Sequence, residues 1–446
     1  MLWLLACISP DVPQESTPPD AVDSAAPFTD TDPWPGGSSW DASVSLITSG
    51  QIVANGSTLS VDAAPAGVDH EATLALVLTN RTDEALTLEG WDLGPFHWVD
   101  TPASTLGPQE STPLTLAFQS ANYTEGGSVE HTLRVPETDY EVVLQANVPG
   151  PLRLVLVGDG GFSLASTDYG ATWTESPATS ERTMMAAAWG DGVFIRGMRE
   201  GGWSSEVHYD YSTDGLNWSD ASVASGGWPF ACAYGDGRFV CVRDYGGYTS
   251  WSQDGQTFIH EVSPGASTFL QAIVFSDGHF VAAGRDGTIS VGGYDGLTAV
   301  HADGALGDYN AIASGDGRLV AVGGWRQDQY LISTSTDGGW TWTSTTFAAS
   351  AYASLSSVAY ANGIWVLQGR NNSYANMLRS TDGETWDPIE TDIPSGGWQL
   401  MGSHNGWFIG LNDDRIARSQ DGLSWETTHT LPEDTDIVAM AAERWP

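Results

Sequence analysis

Short apolar runs interrupted by tight turns dominate the chain from residue 152 onward. Six segments share one order, in which an apolar strand, a glycine-containing turn and a second apolar strand follow one another. They are AAAWGDGVFI, CAYGDGRFVCV, IVFSDGHFVAA, AIASGDGRLVAV, VAYANGIWVL and MGSHNGWFIG. An Asp-Gly or Asn-Gly pair between alternating apolar residues is the strongest local signal for a two-residue β-hairpin. This part of the chain is therefore predicted to be all-β.

A serine-containing octet recurs in step with the hairpins. It is STDYGATW at residues 166–173 and STDGGWTW at 335–342, with the shorter copies STDGLNW, SQDGQTF, STDGETW and SQDGLSW and a degenerate copy GYDGLTA. Its aspartates recur every 39 to 46 residues, at Asp168, Asp214, Asp254, Asp295, Asp337, Asp382 and Asp421. A period of about this length, filled by four short strands, is typical of the blades of a β-propeller.

The octets outnumber the hairpins by seven to six. LRLVLVG enters the repeat with the pattern of a second strand, and TDIVAMAAERWP at the C-terminus has the pattern of a first strand. We therefore expect the C-terminal strand to complete the first blade, which leaves no free sheet edge. The prediction for residues 151–446 is a seven-bladed β-propeller closed by the C-terminal strand.

Residues 41–149 contain shorter strands separated by Gly, Pro, Asn and Asp. The strand segments are ASVSLIT, STLSVD, ATLALVLTN, LTLEGWDL, PLTLAFQ, EHTLRV and YEVVLQANV. Seven or eight strands in a segment of this size favour an immunoglobulin-like β-sandwich. The order of these segments resembles the Ig-like repeats of bacterial surface proteins of the ASPM/Hydin type, which implies a spacer domain. No cysteine pair staples this segment, so it is not an antibody-type domain.

The first forty residues have a different composition. Residues 1–7 form a short apolar stretch ending in LLAC. This end resembles a truncated bacterial lipoprotein signal, which implies export, lipidation of Cys7 and a place at the outer membrane or cell surface. An ordinary apolar N-terminus with a chance cysteine is the alternative. Residues 8–40 are rich in Pro, Ser, Thr and acids and carry no base, as in a disordered acidic tether.

The charge balance excludes some partners. The chain has 56 acidic residues against 16 basic ones, its formal net charge is −40, and it contains no lysine. Nucleic acid and anionic membrane surfaces would both be repelled by such a charge. The histidines lack metal-ligand spacing, and no catalytic or phosphate-binding motif is present, so no metal and no cofactor are predicted.

The octet resembles the Asp-box, also called the BNR repeat. In that repeat the Ser and Asp side chains bond to their own turn, glycine supplies a positive φ and the aromatic residue packs below. The resemblance implies structural aspartates between the third and fourth strands of each blade, opposite the usual ligand face. The chain is similar to bacterial sialidase-like and photosystem II assembly factor-like propeller lipoproteins, and this resemblance implies the fold rather than sialidase activity.

One arginine follows the second strand of six repeats. These residues are Arg199, Arg243, Arg285, Arg326, Arg370 and Arg415. Aromatic residues share the same loops, at Trp203, Trp228, Tyr309, Trp325, Tyr330, Tyr374 and Trp398. Arginine beside aromatic surface suits a carboxylate-bearing ligand. The alternative is that each arginine pairs locally with an aspartate, as the segments RDYGG, RDG, RQDQ and NDDR indicate.

Besides Cys7, the chain has only Cys232 and Cys241. They flank the turn of CAYGDGRFVC, and a two-residue turn places them opposite each other at a non-hydrogen-bonded pair. A disulfide can span that distance, and export would favour it. Two reduced, buried cysteines are the alternative.

Together these features predict an exported, surface-anchored monomer whose propeller is a non-catalytic binding or assembly module. Its ligand would be an acidic glycan or a carboxylate-bearing peptide or protein, bound on the face opposite the octets. The alternative is a glycoside hydrolase or lyase, related to sialidase-like propellers, that acts on extracellular polysaccharide. Such an enzyme would place two carboxylates across a cleft at separations of about 5–9.5 Å.

Overall fold

The computed structural model describes residues 44–49, 51–68, 70–123, 125–178, 181–200, 206–225, 227–243, 248–262, 269–302, 307–325, 329–348, 354–371, 374–389, 399–412, 414–433 and 435–443. The described chain divides into two compact units, and the division falls between Leu152 and Arg153. Both units consist of β-strands, with a few single turns of 3₁₀ helix. None of the described helices has the length and apolar character that a membrane span needs.

The N-terminal unit contains two main sheets. Its strands are β1 (Val44–Thr48), β2 (Gln51–Val53), β3 (Thr58–Asp62), β4 (Glu71–Asn80), β5 (Leu86–Thr87), β6 (Phe96–Trp98), β7 (Thr105–Leu106), β8 (Ser111–Gln119), β9 (Gly127–Arg134) and β10 (Glu141–Val148). One sheet has the order β2-β1-β4-β8-β6 and the other β3-β10-β9, while β5 and β7 form a separate pair. Strand β10 is antiparallel to β9 and parallel to β3.

Alternation along the strands builds the core of this unit. On β4, Leu76 and Leu78 are buried while Val77 between them is exposed, and on β10 Val142 and Leu144 are buried. Both sheets contribute to one apolar cluster. The side-chain period of two in an extended chain places one face of each sheet on this common core.

The C-terminal unit consists of small antiparallel sheets. Its strands are β11 (Leu154–Gly158), β12 (Ser163–Ser166), β13 (Thr174–Ser176), β14 (Thr183–Gly190), β15 (Val193–Arg199), β16 (Glu206–Ser212), β17 (Ser219–Ser225), β18 (Pro229–Gly235), β19 (Arg238–Arg243), β20 (Tyr248–Ser252), β21 (Ile259–Val262), β22 (Leu270–Ser276), β23 (His279–Gly284), β24 (Thr288–Gly293), β25 (Gly296–Ala302), β26 (Gly307–Gly315), β27 (Arg318–Trp325), β28 (Gln329–Ser335), β29 (Thr343–Ala348), β30 (Ser354–Ala361), β31 (Ile364–Asn371), β32 (Tyr374–Ser380), β33 (Asp387–Ile389), β34 (Gln399–His404), β35 (Trp407–Asn412), β36 (Arg415–Ser419), β37 (Glu426–Thr430) and β38 (Ile437–Ala442).

The strands pair in consecutive fours. The first sheet has the order β13-β12-β11-β38, so it joins strands from the two ends of the repeat region. The second to fourth sheets are β14–β17, β18–β21 and β22–β25, and the seventh is β34–β37. The fifth (β26–β29) and sixth (β30–β33) share one bridging pair, Gly324 with Ser354.

The innermost strands of these sheets contact one another in succession. Strand β14 contacts β18, and the series continues through β22, β26, β30, β34 and β38. Strand β38 in turn contacts β14. Small four-stranded antiparallel sheets arranged in this way form a β-propeller, so the predicted fold of this unit is confirmed at that level.

The six predicted hairpins are confirmed in position. Their Asp or Asn residues have φ between 43° and 50°, and the following glycines have φ between 65° and 81°. Both central residues are therefore left-handed, as a type I′ turn requires. Glycine and short Asx side chains are the residues that adopt this conformation at the lowest cost.

A β-bulge at the innermost strand is common to the sheets. The pairing of first and second strands shifts by one residue at Met185, Phe230, Gln271, Asn310, Ser356, Met401 and Val438. Each bulge lies away from the hairpin turn. Because a bulge leaves one residue unpaired and bends its strand, these seven bulges curve the innermost strands.

Candidate functional site

The repeated octets form turns between the third and fourth strands, here called SxD turns. In six of the seven, the serine hydroxyl donates to the aspartate Oδ1 at 2.8–3.0 Å. The serine oxygen also accepts the N–H of a glycine in the turn. The aspartate accepts further N–H groups later in the turn, such as that of Thr341 at 2.9 Å. In these six turns, hydrogen bonds from the same turn therefore fix the position of the aspartate carboxylate.

These hydrogen bonds stabilise the charged form of the aspartates. Bonds from the Thr341 hydroxyl and amide lower the pKa of Asp337 to about 2. Burial alone would raise the pKa of Asp214, but bonds from Asn217, Leu216 and Ser212 lower it to about 2. A carboxylate occupied in this way has little capacity left for a ligand.

Asp295 departs from the predicted octet. The degenerate copy has Gly293 where the others have serine, and Gly293 pairs directly with Gly296 across a two-residue turn. Without the serine hydroxyl, the turn lacks the bond that fixes the other aspartates. The structure therefore assigns Asp295 to an ordinary hairpin.

Replacing Asp214 by alanine is expected to lower the melting temperature of the C-terminal unit by about 2–4 °C, because four bonds to the turn are lost. Since the folded pKa is about 2 and the unfolded value is near 3.8, this contribution is complete above pH 4 and disappears as the pH falls through 2. Asp295→Ala is the matched control. Thermal melts of both variants across this pH range test the prediction, and equal effects would contradict it.

In the third to seventh sheets, a basic side chain contacts the turn between the third and fourth strands of the following sheet, and the first sheet follows the seventh. His279 Nε2 lies 2.7 Å from Gly338 O, Arg379 Nε donates to Asp421 O at 3.2 Å and Arg418 Nη1 donates to Asp168 O at 3.1 Å. Arg318 pairs with Glu384 at 2.9 Å, and Arg238 lies 3.8 Å over the Tyr294 ring. The sequence carries a signal for these contacts, because each basic residue stands either directly after an Asp-Gly turn or directly before the serine of an octet. Arginines therefore lie at both ends of the sheets.

The predicted ligand arginines lie at the other end of the sheets. Arg199 and Arg243 end second strands, Arg285 follows one, and Arg415 begins a third strand. Successive antiparallel connections alternate between the two ends of a sheet, so these positions are remote from the hairpins and SxD turns. We call this the arginine end.

Three of these arginines lie over aromatic rings, and the Arg243 guanidinium is the most distant, at 5.7 Å from the Tyr248 centroid. The guanidinium of Arg199 lies 4.1 Å from the Trp228 centroid, and that of Arg285 lies 4.4 Å from the Phe269 centroid. Arg199 is half-buried and also attracts Asp159, whose pKa is nevertheless raised because burial dominates. Arg285 is exposed, and no carboxylate among the described residues pairs with it. Arg285 is therefore the more available cation.

Other candidates lie in different environments than predicted. Arg243 is only 2% exposed, and burial together with the Arg243 charge lowers the pKa of His260 to about 4. Tyr309 and Tyr330 are buried in the apolar core, because their rings fill space between neighbouring sheets. Arg415 pairs with Asp414 at 3.5 Å, which agrees with the alternative of local pairing.

The remaining candidates are only partly within the structure. Arg326, Trp203, Trp398 and Cys7 lie outside the described residues. Three more candidates lie where second strands end or third strands begin, and the structure describes only their backbone. They are Trp325, Arg370 and Tyr374. Cys232 lies opposite Cys241, their Cα atoms are 4.0 Å apart, and the two sulfurs are joined in a disulfide.

A buried ion pair was not predicted from the sequence. Arg196 donates to Asp210 Oδ2 from Nε at 3.0 Å and from Nη2 at 2.8 Å, and both side chains are about 5% exposed. Arg196 also donates to Gly161 O at 2.9 Å in the first sheet and stacks on Trp218 at 4.4 Å. The pair therefore joins the second sheet to the first.

Comparisons with known proteins support the fold alone. No family model and no curated protein sequence matches the chain. A protein of Lactobacillus plantarum has a similar structure, with a TM-score of 0.50 and 9% identity, covering 66% of this chain and 99% of that one. A Bacteroides fragilis protein described as a putative 6-phosphogluconolactonase has a TM-score of 0.48 and 10% identity, covering 66% and 98%. Among the described residues, no group of three or more His, Cys, Asp or Glu could hold a metal ion.

Proposed function

We propose that the chain is an exported binding protein with an Ig-like spacer and a closed, seven-bladed Asp-box propeller. Pairing of β38 with β11 and the contacts among the innermost strands support seven blades and closure. The two sheets with one shared core support the Ig-like sandwich. The self-contained bonding of six SxD turns supports the Asp-box assignment. Export, the tether and lipidation of Cys7 rest on the sequence.

The proposed ligand carries carboxylates and binds at the arginine end. The observation that carries this proposal is the exposed guanidinium of Arg285 stacked 4.4 Å over Phe269. Stacking fixes the plane of the guanidinium and leaves its N–H edge for a bidentate carboxylate contact. Arg182 at the same end is already paired with carboxylates, because it lies 3.5 Å from Glu200 and 3.4 Å from Asp220. The proposed site therefore contains fewer arginines than the six that the sequence predicted.

Replacing Arg285 by glutamine is expected to weaken binding of polygalacturonate or an oligoglutamate peptide by about 10- to 100-fold, because one charge-assisted bidentate contact is lost. Isothermal titration with the full chain measures this effect. Arg134→Gln is the control, because Arg134 is an exposed arginine of the N-terminal unit. Equal binding by the wild type and Arg285→Gln would contradict the proposal.

A polysaccharide-cleaving enzyme is the second candidate. Asp159 and Asp436 favour it, since burial and the neighbouring Asp436 charge raise the pKa of Asp159. The Asp159 N–H donates to Asp436 O at 2.9 Å, so the two residues are adjacent at the arginine end. Release of reducing sugar by the wild type, abolished in Asp159→Asn, would replace the binding proposal by this one.

A further inference from the structure

Two of the six hairpin turns carry Asn-Gly, where the other four carry Asp-Gly. The Asn362 side chain in the sixth sheet donates from Nδ2 to Gly406 O at 2.7 Å and to Gln420 O at 3.1 Å. Both acceptors belong to the seventh sheet. The Asn405 side chain is hydrogen-bonded to the Tyr169 hydroxyl in the first sheet. The two amides therefore link the sixth, seventh and first sheets in sequence.

Aspartate at the equivalent position makes a different contact. Asp316 in the fifth sheet faces Tyr360 of the sixth and raises the pKa of that phenol, after the larger effect of burial. Ser403 in the seventh sheet already donates its hydroxyl to Tyr360 O at 2.7 Å. Asn362 instead faces two carbonyl oxygens, for which an amide donor is suited and a carboxylate is not.

We propose that Asn362 is a deamidation site whose conversion breaks the link between the sixth and seventh sheets. The Gly363 nitrogen attacks the Asn362 Cγ, and the side-chain nitrogen leaves as ammonia. Water then opens the cyclic imide to aspartate or isoaspartate. Glycine favours the attack because it has no side chain to obstruct the nitrogen, and its backbone adopts many conformations.

The chain contains a matched comparator in Asn55-Gly56. There the Gly56 N–H, which would be the attacking nitrogen, donates to Glu141 O at 2.7 Å. The side-chain amides of both asparagines are hydrogen-bonded, so the bond of the glycine nitrogen is the difference between the two sites. Within the described part of the chain, the Gly363 N–H has no such bond. Asn362 is therefore expected to convert faster than Asn55.

Ageing the protein at mildly alkaline pH and physiological temperature, followed by peptide mass mapping and isoaspartate detection, tests the site. The expected result is a mass gain at the Asn362 peptide, from replacement of NH₂ by OH, ahead of the Asn55 peptide. Conversion of Asn362 no faster than that of Asn55 would overturn the assignment.

A second measurement tests the consequence. Asn362→Asp is expected to lower the melting temperature by about 2–4 °C, because two donors are replaced by a charge facing carbonyls. Asp316→Asn is the control, since it changes the same turn position in the fifth sheet without touching this link. A melting temperature of Asn362→Asp equal to that of the wild type would overturn the proposed effect on the sheets.

Discussion

Arg196→Met is expected to destabilise the protein by about 3–5 kcal/mol, because it breaks a buried ion pair by removing one partner. The change leaves the Asp210 carboxylate buried without its cation. The Oδ1 atom of this carboxylate has no hydrogen bond within the described structure even when Arg196 is present. It also removes the bond to Gly161 O that joins the second sheet to the first. Urea denaturation followed by tryptophan fluorescence measures the loss.

The pH dependence of this variant separates charge burial from lost packing. Burial raises the pKa of Asp210 even beside Arg196, and removal of the cation raises it further. A raised folded pKa means that protonation favours the folded state, so the deficit is largest at neutral pH and decreases as the solution becomes acidic. A deficit that does not change with pH would contradict an origin in the Asp210 charge.

Two further variants provide controls for Arg196→Met. Arg415→Met removes an exposed pair with Asp414 and is expected to cost about 0–1 kcal/mol. The double variant Arg196→Met, Asp210→Leu removes both charges and is expected to recover most of the loss, because an apolar pair needs no compensation. Equal losses for Arg196→Met and Arg415→Met would show that the buried pair is not the cause.

Gly235→Ala is expected to have the second largest effect, with a loss of about 1–3 kcal/mol. A Cβ at Gly235 would lie 1.9 Å from Cγ of Phe275 in the next sheet. The Phe275 ring cannot move aside easily, because it packs edge-on against Phe280 at 4.9 Å. Relief of this overlap therefore requires the third and fourth sheets to shift relative to each other. Urea denaturation again provides the measurement.

The same arrangement of ring and glycine recurs between other sheets. The Tyr234 ring covers Gly190, and the Tyr360 ring covers Gly315. Gly127→Ala is the control for Gly235→Ala, because nothing lies within 4 Å of a Cβ at Gly127. A Gly235→Ala variant as stable as Gly127→Ala would show that the neighbouring sheets adjust without cost.

The predicted arginine site illustrates where sequence reasoning succeeds and where it stops. Strand order places Arg199, Arg243 and Arg285 at one end of their sheets, and strand order could be inferred from turn signals. Burial could not be inferred, because Arg243 and Arg285 occupy similar positions in their repeats yet one is buried and the other is exposed. Exposure depends on the length and packing of the neighbouring connections.

The sequence by itself determined the local elements of this protein. Asp-Gly and Asn-Gly pairs specify type I′ turns because few residues tolerate two successive left-handed conformations. The Ser and Asp of the octets bond within their own turn, so their role also depends on adjacent residues alone. The repeat of these local signals was sufficient to predict a propeller.

Only the tertiary structure decided which side chains meet across sheets. Arg196 reaches Gly161, Asn362 reaches Gly406 and Phe275 covers Gly235, and each contact joins residues 35 to 44 positions apart. The bulges of the innermost strands and the burial of Arg243 are likewise set by packing between sheets. Such contacts depend on the relative placement of whole strands, which adjacent residues do not encode.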